Sequence, residues 1–167
     1  GLTHRQLAEP IYHLRNLELW AYATGRMGRF ARIDHILYRG RKLKVRIESS
    51  KGWQESIFDY EIRGNSQIEV GREFSKPELS FLASRYPPER LAVVRSRLGR
   101  IHTGERGGYY IMRYGFYEGH TEYRADPLAI AFIFGLRSIE ELEAAFPGAL
   151  DSALPDTSDR LSAVGVR

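Results

Sequence analysis

Residues Arg29–Glu48 read RFARIDHILYRGRKLKVRIE, and the second half of this stretch decides the class of the fold. Leu43, Val45 and Ile47 alternate with Lys42, Lys44, Arg46 and Glu48, a period of two that predicts a half-buried strand with a charged outer face. Arg29–Tyr38 predicts its partner, with Arg39-Gly40 at the turn. Trp53–Arg63 and Gln67–Val70 predict two further strands joined through Gly64-Asn65, whose residue types suit a tight turn. The region therefore reads as an antiparallel meander.

Helices are expected on both sides of it. Thr3 with Gln6 has the form of a capping box, and Pro10 then permits a helix from about Ile11 to Tyr22, ended by Gly25 and Gly28. Ser75 with Glu78 repeats the box ahead of a helix over Lys76–Arg85, and Pro87-Pro88 separates it from another over Pro88–Leu98. Gly99–Gly108 reads as a polar loop. Tyr109–Tyr117 then reads as a strand with Tyr110, Met112, Tyr114 and Phe116 on one face. Asp126-Pro127 starts a short buried helix over Leu128–Leu136, and Ser138 with Glu141 caps another that ends before Pro147-Gly148.

The predicted fold is α+β: a single domain with an N-terminal helix, an antiparallel β-meander, then helices flanking one further strand. Residues 1–148 form the domain and 149–167 a C-terminal tail without clear periodicity. At 167 residues and 43% hydrophobic content the chain has the size of one ordinary domain. It contains no cysteine, which excludes disulfides, thiolate catalysis and Cys-rich zinc sites within it and fits a cytoplasmic protein. The most apolar run, Leu128–Leu136, is too short to cross a bilayer, so no membrane partner is expected.

Charge is unevenly placed. The net charge is +4, but the first 50 residues carry ten basic side chains against four acidic ones. Arg26–Arg46 alone holds eight basic residues and one acid, Asp34, a density associated with polyanion contact. Arg39, Arg41, Lys42, Lys44 and Arg46 are accordingly the candidate phosphate-binding residues.

The second candidate surface is Gly104–Asp126, which holds five of the ten tyrosines. Strand alternation would send Tyr110 and Tyr114 inward and leave Tyr109, Arg113 and Tyr117 outward, where they can stack on bases. Next to them, His120 stands two residues from Glu118 and from Glu122, with Arg124 close by. An imidazole oriented by a carboxylate is suited to acid–base chemistry, and Arg124 to anion binding. Glu118, His120, Glu122 and Arg124 are thus the candidate catalytic set. A metal site drawn from Glu118, His120, Glu122, Asp126 and His102 matches no recognised ligand spacing, so a divalent metal is not favoured and no cofactor is named.

Three functions follow. The first is an enzyme acting on a phosphate-bearing or nucleic-acid substrate by His/Glu acid–base chemistry, a hydrolase of nuclease type. The alternative is a non-catalytic nucleic-acid-binding module that uses the basic strand pair and exposed tyrosines. The third is a protein-interaction domain. The partner is nucleic acid or a phosphorylated small molecule; the oligomeric state is not set by the sequence.

Overall fold

The Thr3 hydroxyl accepts the Gln6 N–H at 3.2 Å and the Gln6 side chain accepts the Thr3 N–H at 2.8 Å, completing the first capping box. Helix α1, His4–Ala23, therefore starts ahead of Pro10 and not at Ile11. Pro10 removes one backbone bond, yet the Gln6 carbonyl that loses it belongs to an exposed residue, while the proline itself is buried. Gly25, at φ 66°, lets the chain turn out of the helix. The computed structural model describes residues 1–26, 30–56, 58–59, 63–117 and 125–151.

Strand β1, Phe30–Tyr38, pairs antiparallel with β2, Arg41–Glu55, through the Arg39-Gly40 turn, with Tyr38 opposite Arg41. Both turn residues have positive φ, 49° and 76°, the conformation that matches the strands' right-handed twist. β2 pairs in turn with β3, Arg63–Gly71. Two expectations are corrected here. Trp53 belongs to the end of β2 rather than to a separate third strand, and Gly64-Asn65 lies inside β3, with Gly64 opposite Gln54. A Cβ at Gly64 would come within 2.5 Å of the Glu105 carboxylate, so this glycine answers a close approach and not a turn.

Helices α2, Lys76–Arg85, and α3, Pro88–Leu98, form as the caps and prolines predict. The next two elements exchange places. The expected loop Gly99–Gly108 contains β4, Arg100–Gly104, which pairs with β3 and completes a sheet ordered β1-β2-β3-β4 among the described residues. The expected strand Tyr109–Tyr117 is instead helix α4, Gly107–Tyr114, ended by Gly115 at φ 61°. Gly107, Gly108, Tyr110 and Ile111 are buried, a helical and not a strand spacing. Gly108 lets α4 approach α1, because a Cβ there would sit 3.2 Å from the Tyr12 backbone nitrogen.

Helix α5, Pro127–Ile133, is capped by Asp126, and α6, Ile139–Ala145, by the Ser138–Glu141 box. All these elements contribute to one hydrophobic core: Leu43, Val45 and Ile47 from β2, Ile68 and Val70 from β3, Ile11 and Leu14 from α1, and Ile130, Phe132 and Ile133 from α5. Burying each such side chain contributes about 2 kcal/mol, enough to choose the register. The opposite face of β2 exposes Lys42, Lys44 and Arg46. No described helix is long and apolar enough to cross a membrane.

Candidate functional site

The tight hairpin turn sets the alternation that points Lys42 and Lys44 away from the core. Lys44 stands opposite Gly71, and Gly71 in turn opposite Arg100, so one rung across three strands carries a cation, no side chain, and a cation. Beyond Gly71 the chain leaves the sheet as Arg72–Ser75 and enters α2. This segment must run beside Gly40–Lys44, and the two enclose a hollow of about 710 Å³ lined by Gly40, Arg41, Lys42, Lys44, Arg72, Glu73, Phe74, Ser75 and Glu78. A second hollow of about 780 Å³ shares Arg72, Glu73 and Phe74 and is completed by Leu79, Ala92, Arg95, Ser96, Gly99 and Arg100. Together they bring six basic and two acidic side chains to the two sides of one loop.

Arg72 is the fixed centre. Its side chain is 7% exposed. Its Nη atoms donate to the two Glu78 oxygens at 3.1 and 2.5 Å, and its guanidinium lies 3.8 Å from the centre of the Phe132 ring. Burial pushes the Glu78 carboxyl upward, but the hydrogen bonds from Arg72 and from the Ser75 N–H outweigh it and hold the group below its ordinary value. Arg72 Nε is buried and has no hydrogen-bond partner among the described residues.

The remaining cations differ in their engagement. Lys44 pairs with Glu73 at 2.6 Å and Arg100 with Glu69 at 3.5 Å. Arg41, Lys42 and Arg95 have no ion pair or hydrogen bond among the described residues. Arg46 lies two rungs further along on the same face, opposite Glu69 and Arg32, and pairs with Glu48 at 3.5 Å; Arg39 sits at the turn. Of the five expected phosphate ligands, then, Arg41, Lys42 and Lys44 line one hollow, whereas Arg39 and Arg46 flank it.

Arg72, Arg95 and Arg100 were not anticipated. Arg95 and Arg100 read as exposed charges on and after α3, and nothing local marks Arg72. Only the Lys44–Gly71–Arg100 rung assembles them.

The tyrosine surface is arranged differently from the expectation. Tyr109 and Arg113 are one helical turn apart on α4, and Tyr117 lies beyond its end. The Tyr109 hydroxyl donates to Asp59 at 3.2 Å and is pushed up to about 12, first by its hydrogen bond with Tyr114, then by burial and by Asp59. Tyr117 bonds His4 Nδ1 at 2.9 Å, and burial raises its hydroxyl. Phe58 stacks on Tyr114 with ring centres 4.4 Å apart and meets Tyr110 edge-on at 5.5 Å. Glu118, His120, Glu122 and Arg124 lie outside the described residues. Asp126 is 5% exposed and accepts from Arg97 Nε at 2.6 Å and from the Leu128 N–H at 3.0 Å, a structural engagement. Among the described residues no three His, Asp or Glu side chains converge on a metal-binding geometry.

One buried acid stands apart from both surfaces. Glu18, 3% exposed on α1, faces Ser66 of β3 and Glu105 just after β4. Burial raises its carboxyl first; the Ser66 bond and Arg15 oppose that, and Glu105 adds to it. Comparison with protein-family models, curated proteins and solved structures finds no match to this chain.

Proposed function

We propose that this protein is a nucleic-acid-binding module that grips phosphates across the loop Arg72–Ser75. The observation that carries the reading is the pair of adjoining hollows lined by Arg41, Lys42, Lys44, Arg72, Arg95 and Arg100 against Glu73 and Glu78. Six cations facing two acids leave a surplus that a polyanion neutralises with release of its counterions. Lys44 and Arg100 stand two strands apart, roughly 9–10 Å, so the surface is wide enough for more than one phosphate. A buried, stacked arginine is also a rigid element for anion recognition.

The hydrolase reading rests on His120, Glu118, Glu122 and Arg124, which lie outside the described residues and add no geometry to it. Binding is therefore the function advanced. Sequence preference through stacked bases gains less support, since Tyr109 and Tyr117 are both half-buried and engaged by Asp59 and His4.

The test is a titration of labelled single- and double-stranded oligonucleotides at several salt concentrations, read by fluorescence anisotropy. Three to four phosphate contacts on a single strand predict a slope of log K against log salt of roughly −2 to −3. Absence of binding to either form at low salt overturns the proposal.

A further inference from the structure

We propose that the hollow between the β1–β2 hairpin and the start of α2 seats a phosphomonoester, the terminal phosphate of a nucleic-acid strand, in preference to an internal phosphodiester. This rests on the nucleic-acid reading above and sharpens it to one kind of strand end.

Charge balance is the first observation. The hollow is lined by four cations and two carboxylates. Lys44 with Glu73 and Arg72 with Glu78 close on one another at 2.6 and 2.5 Å. That leaves Arg41 and Lys42, which have no partner among the described residues. Two uncompensated cations match a phosphomonoester, whose charge near neutrality is about −1.5 to −2. An internal phosphodiester carries a single charge and would leave one of the two cations unmatched.

Hydrogen bonding is the second. Arg72 lines the hollow with its side chain 7% exposed and already committed to Glu78, while Arg41 and Lys42 bring donors that have no partner among the described residues. A terminal phosphate presents three acceptor oxygens beyond its ester link, one more than an internal phosphodiester, and so offers more acceptors to the Arg41 guanidinium and the Lys42 ammonium. The pairing with Glu78 and the contact with Phe132 hold Arg72 in place before any ligand arrives, so little conformational freedom is lost on binding.

Position is the third. The cations come from the hairpin and from the loop before α2, while Ser75 and Glu78 contribute the first turn of that ten-residue helix. Its partial positive charge adds to the field, and the Glu78 carboxylate that would oppose an anion is already neutralised by Arg72.

The experiment compares an internally labelled oligothymidylate ending in a 5′-phosphate, in a 3′-phosphate, or in hydroxyls at both ends, bound to the full chain at one ionic strength. One phosphorylated end is expected to bind about tenfold more tightly than the hydroxyl-ended strand. Lys42→Ala, an exposed change that leaves the core untouched, and Arg41→Ala should each reduce that preference, and together abolish it. The preference should also fall below about pH 6, where the terminal phosphate takes up a proton and drops to a single negative charge. Equal affinity for all three strands, with the salt slope kept, overturns this inference and leaves the nucleic-acid reading standing; binding of none overturns both. A preference that survives in the double variant overturns the placement in this hollow.

Discussion

Arg72 and Glu78 are joined through two nitrogens and two oxygens, at 3.1 and 2.5 Å, while the arginine lies 3.8 Å over the ring of Phe132. The pair ties the β3–α2 loop to the core and fixes the boundary between the two hollows.

Removing one partner leaves a nearly buried charge unmatched. Glu78→Gln should destabilise the fold by about 2–4 kcal/mol, measured as a lower urea midpoint at unchanged slope. The carboxyl is held below its ordinary value, so its contribution is fully present above the unfolded-state pKa near 4.3 and is lost as pH falls through the lowered folded value. Wild type should therefore lose stability in acid along a limb that Glu78→Gln flattens.

Glu18 gives the opposite sign. Its carboxyl is raised by burial and by Glu105, so between the unfolded and folded values the native state binds more protons, and stability declines as pH rises through the folded value. Glu18→Gln keeps a polar group for Ser66 and removes the charge. It should raise stability at neutral pH relative to wild type and weaken the decline; a melting profile from mildly acidic to neutral pH that is unchanged by the substitution counts against a raised carboxyl.

Lys42 and Lys44 should not behave alike. Lys44 is engaged by Glu73 at 2.6 Å and Lys42 has no partner among the described residues. Lys42→Ala should weaken oligonucleotide binding and reduce the salt slope by about 1, with Lys44→Ala having the smaller effect. Neither should move the melting temperature much, because an exposed ion pair is worth little, about 0–1 kcal/mol.

Gly135 is a remote lever on the same hollow. It has φ 67°, and a Cβ there would lie 2.1 Å from Arg41 Nη1, so Gly135→Ala must displace that guanidinium. The backbone cost is about 1 kcal/mol. Gly148→Ala is the matched control, at φ 71° with nothing within 4 Å. Both should lower stability similarly, whereas only Gly135→Ala should weaken binding.

Much of the fold was legible because its signals are local. The capping boxes at Thr3, Ser75 and Ser138 each satisfy backbone donors within one turn, and the alternation of Leu43, Val45 and Ile47 separates core from solvent without reference to other strands. Tyr109–Tyr114 misled because six residues fit a period of two nearly as well as one of 3.6, and aromatics favour strands. What made the segment helical was the approach of Gly108 to Tyr12 on α1, a contact nearly 100 positions away in the chain.

The candidate site divides along the same line. By itself the sequence determined that a basic strand follows a tight turn, because steric alternation and the conformational freedom of Gly40 act over a few residues. Only the tertiary structure decided which cations converge. The rung Lys44–Gly71–Arg100 depends on strand register, fixed by burial of Val45, Val70 and Ile101 against the helices, and this non-local packing carries Arg72 and Arg95 to the lysines of β2.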